Sequence, residues 1–335
     1  MLSKEEIVKS VPQTGFFGQP KGLLSLFFTE FWERFSYYGM RAILIYYMYY
    51  EVTQGGLGLE RSTANSIMAV YGSLVYMSGI IGGWIADRLF GTTRTVFYGG
   101  VLIMIGHIVL AFPGGLTTLF ISMAFIIIGT GLLKSNISTI VGDLYSAEDA
   151  RRDSGFSIFY MGINMGAFIA PLIVGTIGLE YNFHLGFGLA AVGMAIGLVV
   201  FLLTKKKYLG LAGSYVPNPL TKEGKKKFFT RLAIAVVIIA ALGFYLIQAG
   251  IMTINVFTMT ISILGILIPT LYFIIMYRSD KSTEDEKSRL LAYIPLFVAA
   301  MMFWAIQEQG SNILAQYADE RVDLTLGSFE ISPAW

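Results

Sequence analysis

The 335-residue chain is a succession of apolar runs, each long enough to cross a lipid bilayer as a helix. About 20 apolar residues suffice, because the hydrocarbon core is about 30 Å thick and a helix rises about 1.5 Å per residue. Hydrophobic residues make up 55% of the chain and charged residues only 14%. This composition predicts an all-α integral membrane protein. The predicted spans are 23–50, 62–87, 94–112, 116–135, 154–177, 184–204, 229–248, 254–278 and 289–318.

The longest polar stretch, residues 205–228, divides these spans into groups. It contains two runs of three lysines, which we interpret as loop charge that sets membrane topology rather than as nucleic-acid or lipid recognition. The predicted organisation has five parts. They are an N-terminal segment (1–22), a six-helix bundle (23–204), a linker (205–228), an inserted transmembrane hairpin (229–278) and the start of a second bundle, with a seventh helix and the beginning of an eighth (279–335).

The basic residues outside the predicted spans lie almost entirely on one side of the membrane. The loops of the opposite side hold only Arg61 and Arg321. By the positive-inside rule, the N-terminus and the linker are cytoplasmic. We therefore expect a multi-pass protein of the cell (plasma) membrane.

The first span carries four ionisable residues, Glu30, Glu33, Arg34 and Arg41. Charges at membrane depth are costly, so such residues face a protein interior or a wet cavity and often mark a pathway. A buried salt bridge that only fixes helix packing is the alternative. We favour the pathway, because several polar residues follow one another at three- and four-residue steps and therefore share one helix face. These residues are Glu30, Arg34, Tyr37, Tyr38 and Arg41.

A glycine-rich turn ends the second span, in the sequence Gly82-Gly83-Trp84-Ile85-Ala86-Asp87-Arg88. Gly79 and Gly83 form a small-xxx-small pair that allows close helix approach. Asp87 is suited to cap a neighbouring helix or to hold a cation, as a breakable latch would. We predict a cytoplasmic gate formed by Gly83, Asp87 and Arg88.

Three further polar residues lie in later spans. Lys134 is predicted near the end of the fourth span, where the alternative to a functional role is snorkelling to the interface. Asn164 lies between Gly162 and Gly166, a predicted close-packing pair, and its alternative role is an interhelical hydrogen bond. Glu308 lies between two amides, and its carboxyl group is a natural proton carrier.

The residue inventory argues against several classes of site. The chain has no cysteine and two isolated histidines, so a metal site or a Ser-His-Asp triad is not expected. No motif pairs a nucleophile with a base. We therefore expect no enzyme, no metal and no cofactor.

Together these motifs resemble the proton-coupled oligopeptide transporter family, the peptide-carrying branch of the major facilitator superfamily. The family's first-helix signature Glu-x-x-Glu-Arg-Phe-x-Tyr-Tyr-Gly matches residues 30–39, and its fourth-helix lysine matches Lys134. Its fifth-helix signature Phe-Tyr-x-x-Ile-Asn-x-Gly matches residues 159–166. The family's lysine is usually followed by proline, whereas Ser135 stands here, which puts the direction of Lys134 in question.

The resemblance implies a major facilitator fold and proton-coupled symport of di- and tripeptides into the cytoplasm. Partners would be peptides, protons and the lipid bilayer, with no nucleic acid, and the protein would function as a monomer. The implied proton-coupling residues are Glu30, Glu33, Arg34, Arg41 and Glu308. The implied peptide-binding residues are Arg34, Tyr37, Tyr38, Arg41, Tyr76, Lys134, Asn164, Trp304 and Glu308.

Two alternatives stay open, a carrier of another small solute in the same superfamily and a non-transporting peptide sensor. The superfamily fold needs two six-helix halves with the substrate at their interface. The second half here stops early, so we expect the sequence to be a fragment of a longer carrier with further helices after Trp335.

Overall fold

The computed structural model describes residues 3–335, and these are largely helical. Short π-helical turns at 86–90, 171–175 and 205–209 continue three of the helices. The only strands in the described part, β1 (Thr325–Leu326) and β2 (Phe329–Glu330), form a small antiparallel hairpin. The helices are α1 Lys4–Ser10, α2 Gly22–Tyr49, α3 Arg61–Ile85, α4 Thr92–Leu110, α5 Gly115–Asp143, α6 Arg152–Ala170, α7 Thr176–Glu180, α8 Phe183–Thr204, α9 Lys222–Gln248, α10 Ile254–Arg278, α11 Glu284–Gln307 and α12 Ile313–Arg321.

Within residues 3–335, eight helical segments are long and apolar enough to cross a membrane. The predicted first span, α2, is not among them, because its ionisable residues exceed what such a segment tolerates. It crosses inside the bundle instead: α2 packs against α6 and α8, and most of its side chains are buried. The other contacts that build the bundle join α4 to α5 and α8, and α3 to α5.

Two glycines bring α6 close to α2, as the sequence predicts. A Cβ atom at Gly162 would lie 2.9 Å from the Phe27 ring, and one at Gly166 would lie 2.4 Å from the carbonyl oxygen of Phe31. A larger residue at either position would push the two helices apart. The predicted close-packing pair is confirmed. It holds the polar face of α2, which carries Glu30, Arg34, Tyr37, Tyr38 and Arg41, against the bundle interior.

The close approach of α3 involves a different glycine from the one predicted. A Cβ atom at Gly82 would lie 1.8 Å from the carbonyl oxygen of Gly131 in α5, whereas one at Gly83 would meet nothing within 4 Å. The predicted role of Gly83 in helix packing is therefore wrong. The residue one position earlier faces α5, because successive helix positions differ by about 100° in direction.

The predicted ninth span, 289–318, is also wrong in extent. Helix α11 ends at Gln307, and a turn that contains Gly310 separates it from the short helix α12. The polar run from Gln307 to Asn312 interrupts the apolar pattern and ends the helix there. Helix α5 differs in the other direction, since it continues to Asp143, eight residues beyond the predicted end at 135.

Helices α9, α10 and α11 contain no buried residue, although their apolar windows are long enough to cross a membrane. Helix α10 packs on α3 and α11, and Phe228 at the start of α9 has its ring 4.8 Å from that of Trp84. The described part of the chain therefore leaves most of the surface of these three helices uncovered.

The chain segments at the linker side of the bundle are tied together by hydrogen bonds. Ile7 and Val11 of the N-terminal segment are buried in the bundle core, and Lys4 forms a salt bridge of 3.0 Å with Asp143 of α5. Further along, the backbone N–H of Thr93 donates to the carbonyl oxygen of Gly213 at 2.9 Å. The first half of the linker is thus an ordered part of this face.

The glycine contact between α3 and α5 makes a direct prediction. We expect Gly82→Ala to destabilise the protein by about 1–3 kcal/mol, because the added methyl group collides with backbone atoms that cannot move aside. Gly83→Ala is the matched control, and it should be neutral or slightly stabilising, because alanine favours the helix and the site is open. Thermal unfolding of the two detergent-solubilised variants measures the difference. Equal unfolding midpoints would contradict the predicted contact.

Candidate functional site

A pair of opposite charges joins the six-helix bundle to the end of α11. The guanidinium group of Arg41 in α2 donates through Nη2 to Oε2 of Glu308, the residue that follows α11. The hydroxyl group of Tyr76 in α3 donates to the other carboxylate oxygen, Oε1, at 3.1 Å. One carboxylate therefore binds two helices of the first bundle. Three residues implied by the resemblance are brought together here.

Two cavities open on either side of this ion pair. The first has a volume of about 650 Å³ and lies between α2, α3 and α11, with Ser73, Tyr76 and Met301 among its lining residues. The second has a volume of about 490 Å³, and Tyr38 lies in its wall. Both are lined by Arg41, Trp304 and Glu308. Volumes of this size are in the usual range for pockets that bind small molecules.

Lys134 lies beside the first cavity. Its Nζ atom is 4.4 Å from the centre of the Tyr76 ring, a cation–π contact. Because α5 continues for nine residues beyond Lys134, the lysine is well inside the helix, which contradicts the snorkelling alternative. Ser135, where the family usually has proline, donates from Oγ to the carbonyl oxygen of Gly79 at 3.3 Å.

A second group of charges is buried deeper in the bundle. Arg34 Nε lies 2.9 Å from Glu30 Oε1 and 2.5 Å from Glu33 Oε2, although neither contact has the alignment of a hydrogen bond. All three side chains are almost fully buried. Lys134 is close enough to interact electrostatically with both glutamates and with Glu308. Its charge therefore acts on both the buried group and the Arg41–Glu308 pair.

The structure does not bring every predicted residue to the cavities. Arg34 is buried and lines neither of them, so its implied direct contact with a peptide is not seen. Tyr37 is also buried, with its ring beneath the guanidinium of Arg41 at 6.0 Å and edge-on to Tyr38 at 5.3 Å. Tyr37 thus supports the side chains of Arg41 and Tyr38, which do reach the cavities.

Asn164 faces a separate shallow surface depression, together with Tyr160 and Phe168 of the same helix. Its Nδ2 atom donates to the carbonyl oxygen of Tyr160, four residues earlier, at 3.0 Å. The bond lies within one helix, so the alternative of an interhelical hydrogen bond is wrong. Among the described residues, Asn164 does not share a cavity with Arg41 and Glu308.

The predicted gate turn is stabilised by its backbone rather than by Asp87. The side chain of Asp87 is exposed and makes no hydrogen bond within residues 3–335, and α4 begins after Gly91 without a side-chain cap. The prediction that Asp87 caps a neighbouring helix is therefore not met in this structure. The carbonyl oxygens of Asp87 and Arg88 instead accept hydrogen bonds from the N–H groups of Asn218 and Leu220, at 3.0 and 3.1 Å.

Sequence reasoning missed a polar cluster at the opposite end of the bundle. The hydroxyl groups of Tyr49 and Tyr50 donate to the two carboxylate oxygens of Asp319 at 2.6 and 2.9 Å, and Arg61 forms a salt bridge with Glu320. Farther in, Tyr46 donates to the carbonyl oxygens of Ala315 and Pro333 at 3.1 and 2.7 Å. These contacts close α2 and α3 against the α12 region.

The tyrosine spacing was a usable signal for this cluster, because Tyr46, Tyr49 and Tyr50 lie three and four residues apart and so share a helix face. Their partners come from α12, more than 260 residues later in the chain. No local pattern connects the two segments, which is why the sequence did not indicate the cluster.

Comparison with known proteins places this arrangement in a family. The model of the POT family matches residues 93–335. The chain is 64% identical over 334 residues to the uncharacterized transporter YclF of Bacillus subtilis (strain 168), covering 100% of this chain and 67% of that protein. It is 52% identical over 328 residues to a di-/tripeptide transporter of Lactococcus lactis subsp. cremoris, covering 96% of this chain and 66% of that protein.

A solved structure shares the fold. The chain matches the crystal structure of the peptide transporter POT in complex with sulfate with a TM-score of 0.97 and 66% sequence identity, over 100% of this chain and 68% of that one. This chain therefore spans about two thirds of the length of the relatives that it matches. The predicted major facilitator fold is confirmed. The chain belongs to the POT family.

Proposed function

We propose that the protein is a secondary active transporter that carries di- and tripeptides into the cytoplasm together with protons, by alternating access. The single observation that carries this proposal is the Arg41–Glu308 pair, because it joins the two parts of the fold at a cavity of peptide size. The names of the relatives support the substrate class, since several are di-/tripeptide transporters.

The cavity suits a small zwitterion. A di- or tripeptide carries a fixed carboxylate, and Arg41 and Lys134 supply two cations beside one wall of the first cavity. Charge-assisted hydrogen bonds of this kind are stronger than neutral ones. The rings of Tyr76 and Trp304, 5.9 Å apart, offer apolar surface that tolerates different side chains.

The ion pair supplies a route for coupling. Glu308 binds Arg41 only while its carboxyl group is ionised, so a proton on Glu308 frees the guanidinium for the peptide carboxylate. Proton and peptide then favour the same state of a two-state element, which is the thermodynamic requirement for coupled transport. Glu30 and Glu33 are the competing proton sites, because Lys134 links them electrostatically to the cavity.

The polar cluster around Asp319 closes the cavities at one end of the membrane. In the topology that the distribution of basic residues favours, with the N-terminus cytoplasmic, that end is the outside of the cell. The protein would then lie in the plasma membrane as a functional monomer and would act as a carrier rather than as an enzyme. Protons would be the coupling ion, with no other cofactor.

The first prediction concerns Glu308. We expect Glu308→Gln to lose peptide accumulation driven by a proton gradient while it retains peptide-for-peptide exchange, because a neutral amide mimics the protonated acid. The measurement pairs dipeptide uptake by proteoliposomes under an imposed pH gradient with counterflow in its absence. Gradient-driven uptake at the parent rate would exclude Glu308 and move the coupling proton to Glu30 or Glu33. Absence of both activities in the parent protein would instead favour a sensor or a carrier of another solute.

The second prediction concerns the peptide carboxylate. Lys134→Gln should weaken dipeptide binding about tenfold or more, because a hydrogen bond to a charged group contributes about 1.5–3 kcal/mol. Lys205→Gln is the matched control, since Lys205 also lies over an aromatic ring, 5.1 Å from the centre of Phe97, but outside the cavities. A dipeptide amide should bind both variants equally. The same affinity loss with the amide would show that Lys134 acts on something other than the carboxylate.

The third prediction tests the closed end of the fold. The chain has no cysteine, so Ser73→Cys places a single thiol in the wall of the first cavity. A membrane-impermeant thiol reagent added outside should label it slowly, and Asp319→Ala should raise the rate several-fold, because two tyrosine hydroxyls lose their acceptor. Asp323→Ala is the control, because Asp323 bonds only to the nearby Thr325. Equal rates in the two variants would remove Asp319 from the closure.

A further inference from the structure

The base of the inserted hairpin carries basic residues that form no salt bridge within residues 3–335. Helix α9 begins at Lys222, and five cations fall within its first ten residues, against the single acid Glu223. No salt bridge in the described part of the chain involves any of the five. These five cations, here called the α9 base, are Lys222, Lys225, Lys226, Lys227 and Arg231.

The α9 base lies where a membrane surface must pass. The apolar part of α9 starts at Phe228, directly after the three consecutive lysines, and its side chains are exposed on every side. Because this apolar part is long enough to cross a membrane, the lysines that precede it are at the level of the headgroups. Lys222, Lys225 and Lys226 are spaced by three and four residues and share one face, so their charges can act on one headgroup.

The α9 base is also held in place rather than carried on a loose loop. The residue two positions before Lys222, Leu220, donates its N–H to the carbonyl oxygen of Arg88 at 3.1 Å. Thr221 caps the helix by accepting from the N–H of Gly224. The contact of Phe228 with Trp84 then fixes the next turn. A basic cluster in a fixed position loses less entropy when it binds a ligand.

We propose that the α9 base is a binding site for anionic phospholipid headgroups. Each basic residue near a negatively charged membrane surface contributes about 1 kcal/mol of attraction, which is about fivefold in affinity. The proposal departs from the interpretation of the linker lysines as topology signals rather than lipid recognition, because the ordered linker presents them beside the predicted gate turn. The proposal concerns the fold in the membrane and does not rest on peptide transport.

Trp84 supplies the probe for the test, because it is part-exposed and lies against Phe228, the residue that follows the three lysines of the α9 base. The protein is reconstituted in phosphatidylcholine vesicles that contain increasing fractions of one brominated lipid. In one series this lipid is brominated phosphatidylglycerol, and in the other it is brominated phosphatidylcholine. Brominated acyl chains quench tryptophan fluorescence on contact. Subtracting the signal of Trp84→Phe isolates the local quenching. We expect half-maximal quenching of Trp84 at a fraction of brominated phosphatidylglycerol at least about fivefold lower than that of brominated phosphatidylcholine.

Two triple variants test where the preference comes from. The first variant, Lys225→Gln/Lys226→Gln/Lys227→Gln, should show half-maximal quenching at the same fraction of brominated phosphatidylglycerol and of brominated phosphatidylcholine. Lys205→Gln/Lys206→Gln/Lys207→Gln removes the same charge from the same side of the membrane, outside α9, and should leave the preference intact. Equal quenching by both lipids in the parent protein would overturn the proposal and leave the α9 base for an acidic partner outside the bilayer. If both triple variants lost the preference for phosphatidylglycerol equally, the proposal would also be overturned, because the preference would then come from the overall surface charge and not from the α9 base.

Discussion

The rest of the structure depends on pairing the charged side chains that lie inside the membrane with groups of opposite charge. Arg41 and Glu308 meet across the cavity wall, and Tyr76 satisfies the second carboxylate oxygen. A buried pair of this kind adds little net stability, because both groups lose their hydration. It does, however, make each partner dependent on the other, so anything that neutralises or replaces one partner changes the contact between α2 and α11. A weakly stabilising contact between two parts of the fold is suited to a switch.

Close helix packing gives that switch a rigid base. Gly162 and Gly166 bring α6 against α2, and Gly82 brings α3 against Gly131 of α5. Because these contacts involve backbone atoms, the helices cannot slide past one another without losing many contacts at once. The bundle is therefore a rigid unit with polar contacts at its edges. The Asp319 cluster at one end and the ordered linker at the other are these edges.

The linker and the hairpin connect the bundle to the lipid around it. Residues 213–220 form backbone hydrogen bonds with the segment that joins α3 to α4. The next residue, Thr221, caps the start of α9. Within the described residues, the hairpin contacts the bundle through the packing of α10 on α3 and of Phe228 on Trp84.

The sequence by itself determined the membrane class, the order of the helices and the residues of the polar stripe. It could do so because apolar length, charge at membrane depth and glycine spacing are local properties of a helix. Glu308 and Arg41 were recognisable as polar groups in apolar surroundings, and the family resemblance assigned both to proton coupling and peptide binding. The sequence indicated Gly83 rather than Gly82 as the packing glycine, because a glycine pattern does not show which face of a helix meets its neighbour.

Only the tertiary structure decided which of these residues meet. Arg34 is as polar as Arg41, yet it lies between two glutamates in the bundle while Arg41 reaches the cavity. Tyr49 and Tyr50 find Asp319 about 270 residues later in the chain. Such pairings depend on how whole helices are rotated and stacked, and this is set by the sum of many packing contacts that no single segment contains.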